Sequence, residues 1–373
     1  MNRSFFARNN AFESSDQAIL SRVTALLAQD TASQRRQLCQ FLREQPSRVP
    51  LDSLLPKIGL RHKLELIEEL HKRLQKDFGT SERPFHFSNI QIAALCLMSV
   101  ETLQDLHQDA TSIMSVSTPL YQLSFLVNGK FPPDRNIFAS MATHIFCCKT
   151  RHRHNEEHEK CLLRDQRLCV LTKSKDVAPC YIASVGLTKS QMNIDDFTDS
   201  RFLRRLVGDD WVQISRILAI DSIGAFGKSW NMLCLDSVLC EYWAQCLFGL
   251  KYLEMATNDD GSTVVQIQFH WMPINEIKPH QRVDPPYDRA IDAMLQTTTI
   301  GVPKSCNSRL KSGDFFSVTI NSEEEALKMK AALELQWLAV RLAALSGTSK
   351  EWEYDSDSDI DDGEDGGEDH VMS

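Results

Sequence analysis

Apolar residues recur every three or four positions through much of the first eighty residues, the spacing that turns one face of a helix toward a core. In 16–29, Ile19, Val23, Leu26 and Leu27 form such a stripe, with Asp16 placed to cap it. Leu38, Phe41 and Leu42 make a second stripe, and Leu64, Ile67, Leu70 and Leu74 a third that ends at Gly79. The Glu and Lys residues between the last four form a solvated face. The run 89–107 is largely apolar and predicts a buried helix. Together these segments read as a helical bundle packing onto the rest of the chain.

Further on the pattern changes. Pro132 and Pro133 break any helix in the connector 128–136. Residues 167–174 read as a short strand, and 202–218 as helical. Asn258–Gly261 is a turn signal between two β-prone runs, which predicts a hairpin. In its second run Val265, Ile267, Phe269 and Trp271 share one face, and Gln266, Gln268 and His270 the other. Another strand is entered through Gly313. A long helix follows, acidic in its first turn and closed by Gly347. The expected fold class is therefore α+β. The divisions are a mainly helical region 1–150, a mixed domain 151–350 carrying the long C-terminal helix, and a tail 351–373.

Charge sharpens these divisions. The 373 residues carry a net charge of −9, but 351–373 holds eleven Asp and Glu and no Lys or Arg. The rest of the chain is close to neutral, so a histone-like basic binder is excluded. The tail is too charged and too poor in apolar groups to fold alone. The most basic window is 149–175, with eight Lys and Arg against four acidic residues. No window holds the ~20 apolar residues of a membrane span, and the N-terminal residues lack the apolar run of a secretion signal. A cytoplasmic or nuclear protein is expected, with its eleven cysteines reduced and mostly buried in the core.

Several segments, taken in order, resemble the fungal HNH-nuclease-domain proteins. Arg164, Asp165, Cys169, Val170 and Thr172 match that family's Arg-Asp and Cys-Val-x-Thr pieces. Tyr181-Ile182-Ala183-Ser184 resembles its His-Ile-x-Pro segment, and Asn231 to Leu235 its Asn-Leu-x-Cys-Leu segment. Phe202-Leu203 with Gly208-Asp209-Asp210, Tyr242-Trp243, Leu247-Phe248, Leu250-Lys251, Phe269-His270-Trp271, Leu310, Ser312-Gly313-Asp314 and Leu335-Gln336-Trp337 also fit. The resemblance covers roughly residues 155–350 and implies a ββα-metal finger inside the mixed domain.

In such a finger the first histidine acts as general base on water, because imidazole titrates near neutral pH. The asparagine holds the loop, and the last histidine helps bind a divalent cation on the scissile phosphate. Here Tyr181, Asn231 and Cys240 occupy those three places. A phenol of pKa ~10 is a poor base at pH 7. A thiolate suits Zn²⁺ and suits Mg²⁺ badly. No histidine occurs between His158 and His270, so shifting the alignment restores neither one.

The site therefore reads as degenerate, with no metal and no cofactor assigned. The expected role is binding of DNA, RNA or protein, with no membrane partner. Arg164, Arg167, Lys173 and Lys175 are the candidate phosphate contacts. The alternative is an active metal-dependent endonuclease with atypical residues, using Mg²⁺ or Zn²⁺. Two rescues stay open. His270 could reach the site, and His154, His158 and Cys161 would share one helical face suited to zinc. A Cys240-based hydrolase lacks the Gly-rich elbow that would present the nucleophile.

Overall fold

The computed structural model describes residues 54–55, 59–80, 84–109, 156–183, 185, 201–208, 211–212, 214–216, 224–275, 277–279, 281–295 and 310–347. The chain divides into Met1–Pro46 and Ser47–Ser373, and every described residue belongs to the second unit. The expected helices in 16–29 and 32–45, the connector 128–136, His154, the basic residues Lys149, Arg151 and Arg153, and the acidic tail lie outside the described residues.

The fold is mixed α+β, as the periodicities predict. Helix α1 (Leu60–Phe78) buries Leu64, Ile67, Leu70 and Leu74, the four residues of its apolar stripe. The apolar run that follows strand β1 (Phe87–Ser88) is not one helix but two, α2 (Asn89–Leu97) and α3 (Val100–Asp109). The break is chemical. Met98 is extended, and the Ser99 hydroxyl accepts from Thr102 N at 3.1 Å, which restarts the helix as a serine cap does. The ammonium of the buried Lys63 donates to the carbonyls of Cys96 and Met98, two groups that the end of α2 would otherwise leave unpaired.

Helix α4 (Glu156–Arg164) leads into β2 (Val177–Tyr181), with α5 (Arg201–Val207) later in the chain. The stretch 167–174 between α4 and β2 is a series of turns, not the expected strand. Arg167 and Lys173 have positive φ, and Cys169, Val170 and Leu171 are buried in succession where a half-buried strand would alternate. Two 3₁₀ turns, Ala225–Gly227 and Ser229–Asn231, precede β3 (Met232–Asp236) and α6 (Ser237–Ala244).

The predicted hairpin is present. β4 (Phe248–Thr257) and β5 (Thr263–Trp271) pair antiparallel about a turn in which Gly261 adopts φ +84°, a conformation that disfavours a Cβ. β5 alternates as read, with Val265, Ile267, Phe269 and Trp271 buried. β6 (Arg282–Val283) pairs with β1, and α7 (Asp288–Leu295) follows. β7 (Phe315–Ile320) makes β5 the centre of a three-stranded sheet. Helix α8 (Glu323–Ser346) closes the fold. Its cap Ser322 accepts from Glu325 N, and Gly347 ends it at φ +79°.

One contiguous apolar core runs from α1–α3 through the sheets to α8. Trp243 of α6 stacks on Phe248 at 4.9 Å, and Phe248 on Phe269 at 5.0 Å, so α6 is anchored to the large sheet. Burying a side chain of this size contributes about 2–3 kcal/mol. Among the described residues no helix is long and apolar enough to cross a membrane.

Candidate functional site

The segments that carry Tyr181, Asn231 and Cys240 come together as a strand, a returning strand and a helix. β2 and β3 pair antiparallel from Val177↔Asp236 to Tyr181↔Met232, and α6 follows β3 without a gap. Asp236 makes the junction. Its Oδ1 accepts from Leu239 N at 2.9 Å, capping α6, and its Oδ2 accepts from the Thr172 hydroxyl at 2.7 Å.

Asn231 is fully buried where the hairpin opens. Its amide nitrogen donates to the carbonyls of Ala183 at 2.7 Å and Phe226 at 2.8 Å, and its Oδ1 accepts from Ala183 N at 2.9 Å. The amide thus replaces a missing rung of the ladder and holds the loop. Both polar atoms of its side chain are engaged by backbone groups.

Tyr181 ends β2. Its hydroxyl lies 3.0 Å from Nε2 of the buried His158 of α4, and its carbonyl accepts from Trp243 Nε1 at 3.1 Å. Burial, reinforced by Cys161 and Glu157, raises the phenol above its ordinary pKa. Tyr181 therefore keeps its proton at neutral pH and cannot deprotonate water.

Cys240, in α6, is joined to Cys180 of β2 by a disulfide. This corrects the expectation of uniformly reduced cysteines. It also removes the thiolate that Cys240 would need as a metal ligand. The cause lies in the register: Cys180 sits beside Tyr181 on β2 and faces the helix that carries Cys240. The described cysteines outside that bond, Cys96, Cys161, Cys169, Cys234 and Cys246, are free thiols buried in the core, as expected.

Arg164, expected on a phosphate-contacting surface, is turned inward and engaged by partners within the fold. Its side chain is only 11 % exposed. Its guanidinium pairs with both oxygens of Asp165 at 2.7 and 2.8 Å and donates to the carbonyls of Ser229 and Met232. Asp165 in turn accepts from Cys234 N at 2.9 Å. This Arg-Asp pair clamps α4 to β3. Of the other candidates, Arg167 pairs with Glu159. Lys173 and Lys175 stand exposed on the turns before β2. Among the described residues neither lysine pairs with a carboxylate. Much of the excess charge of the basic window belongs to Lys149, Arg151 and Arg153, outside the described residues.

The two rescuing histidines have separate fates. His270 stacks on Trp337 of α8 at 5.3 Å, and its Nε2 lies 2.8 Å from Gln268 Oε1. It belongs to the large sheet. Burial, aided by Lys251, lowers its pKa to about 4, so the ring is neutral. His158 and Cys161 do share a face of α4, and that face lies on β3. Cys161, Asp165 and Cys234 place three donor atoms within 4.8 Å of one another. Two sulfurs and an oxygen would suit a borderline ion such as Zn²⁺. The Arg164 guanidinium already supplies a cation to this trio, 3.5 Å from Cys161 Sγ and bonded to Asp165.

Sequence reasoning did not find the partners Cys180, Cys234 and His158. The one available signal was the helical spacing of His158 and Cys161, which named a face without naming what it meets. Compared with protein-family models, with curated proteins and with solved structures, the chain matches none.

Proposed function

We propose that this chain carries a degenerate HNH-like ββα finger that binds nucleic acid without cleaving it. The observation that supports this most directly is the Cys180–Cys240 bond. It occupies the helix position that a finger nuclease needs for its metal. Tyr181, protonated and bonded to His158, occupies the place of the base. What remains is a rigid two-stranded support with exposed Lys173 and Lys175 on its approach turns. Lysines on such a turn contact a phosphate backbone without reading sequence. A cytoplasmic or nuclear location fits such a partner.

The test pairs cleavage with binding. Purified chain is incubated with plasmid and single-stranded DNA in Mg²⁺, Mn²⁺ and Zn²⁺, and binding to the same DNA is followed by anisotropy across salt. We expect intact DNA, and an affinity that falls steeply as salt rises. Salt-insensitive binding, or none, removes the nucleic-acid reading and leaves a protein partner as the object of search. A Tyr181→His/Cys240→His double variant restores base and ligand, and metal-dependent nicking by it alone supports the ancestry.

One observation favours a second reading, an active metal-dependent endonuclease. His158 reaches the base position in space although sequence places it elsewhere. Cys161, Asp165 and Cys234 would then be the metal donors, since Tyr181 packs against that cluster. Nicking by the unmodified protein that is lost in His158→Ala would establish this reading over the first.

A further inference from the structure

Two cysteine pairs flank the β2–β3 hairpin, one on each face. Residues directly opposite in an antiparallel pair project to the same side. Cys180 lies opposite Leu233, and Cys234 opposite Pro179, so Cys180 and Cys234 project to opposite sides. On one side Cys180 is bonded to Cys240 of α6. On the other, Cys234 Sγ lies 3.7 Å from Cys161 Sγ of α4. Both of these thiols are fully buried.

We propose that Cys161 and Cys234 form an oxidisable pair that hydrogen peroxide closes into a second disulfide, stapling α4 to β3. The surroundings assign different roles to the two sulfurs. Cys161 Sγ has the Arg164 guanidinium at 3.5 Å and Asp165 Oδ2 at 3.8 Å. The guanidinium beside it can stabilise charge developing on sulfur as the peroxide is attacked, and the thiol's proton leaves with the displaced water. Cys161 is therefore the attacking thiol. It displaces water from the peroxide, leaving a sulfenic acid on Cys161. The sulfur of Cys234 then attacks that sulfur, a second water leaves, and the S–S bond forms. One peroxide is reduced to two waters, and two thiols are oxidised to one disulfide.

The contact with Cys161 and burial both push the Cys234 thiol up, so it stands as a protonated thiol at neutral pH. Leu162, Val177 and Tyr181 are the partly buried side chains packed over the pair. The inference does not depend on the nuclease-like reading, since it uses only the two thiols, Arg164 and Asp165.

The full chain is treated with hydrogen peroxide, unfolded in excess alkylating reagent and digested without reductant for mass mapping. We expect a linked peptide joining Cys161 to Cys234, with a mass lower by about 2 Da for the two hydrogens removed. In Cys234→Ser, Cys161 should be trapped as a sulfenic acid and captured by dimedone. In Cys161→Ser, Cys234 should remain an alkylatable thiol. Alkylation of both residues after oxidation, or sulfinic acid on Cys161 with Cys234 still free, overturns the proposal. The unmodified chain decides this by itself if either variant does not fold.

Discussion

The hydroxyl of Tyr181 meets Nε2 of His158 at 3.0 Å, across 23 residues of sequence. A phenol at the end of β2 and an imidazole from the preceding helix thus meet directly. The pair ties α4 to the end of β2, beside the Arg164–Asp165 clamp that ties the same helix to β3. α4 is therefore a structural part of the unit built on β2 and β3, and the Arg164–Asp165 pair serves to hold that unit together.

Asn231 is the first residue to test on that view. Replacing it by Leu leaves Ala183 N–H and the carbonyls of Ala183 and Phe226 buried without their partner. At about 1–3 kcal/mol for each orphaned group, the loss should be about 3 kcal/mol or more. Urea unfolding of Asn231→Leu reads this directly. A midpoint equal to that of the unmodified chain would show that the loop does not depend on this amide.

Arginine and lysine in the basic window should part company. Arg164→Ala strands the Asp165 carboxylate, which is 4 % exposed, and should cost about 3–5 kcal/mol of stability. Lys173→Ala and Lys175→Ala, on exposed turns, should leave stability unchanged. Each should instead lower the salt slope of DNA binding by about 1. Thermal unfolding and salt titration of the same three proteins separate the two effects. Equal stability losses in all three would reject the distinction.

Reduction should soften the unit formed by β2, β3 and α6. The Cys180–Cys240 bond closes a loop of 60 residues, and removing such a link typically costs about 2–4 kcal/mol. Dithiothreitol and the Cys180→Ser/Cys240→Ser variant should lower the unfolding midpoint by the same amount, and dithiothreitol should add nothing further to the variant. An additional drop would point to a second reducible link.

His270 gives the large sheet an acid sensitivity. Its folded pKa of about 4 lies below the ordinary histidine value, so the unfolded chain binds the proton more readily. Stability from this group is intact above the unfolded pKa, falls as pH drops from about 6.5 toward 4, and is flat below. His270→Gln should flatten that part of the stability curve in urea titrations at successive pH values. An unchanged slope would mean that other groups carry the acid response.

Local pattern was legible in the chain. The stripe of α1, the alternation along β5, the turn at Asn258–Gly261 and the ends of α8 all appear where spacing and capping residues put them, because each depends on neighbours a few residues away. The failures share a cause. Residues 167–174 have β-prone composition, yet their burial is continuous and their backbone turns through positive φ at Arg167 and Lys173. The long run after β1 looks like one helix until the Ser99 hydroxyl competes for the backbone.

The sequence by itself determined the fold class, most element positions and the acidity of the tail. Those are properties of residue type and short-range periodicity. Tertiary structure alone decided what the candidate residues touch. It bonded Cys240 to Cys180 across 60 positions and set Cys161 against Cys234 across 73. It also buried Arg164 under β3 and brought His158 to Tyr181. Such pairings follow from which face of a strand meets which helix, and one residue of register reverses that face.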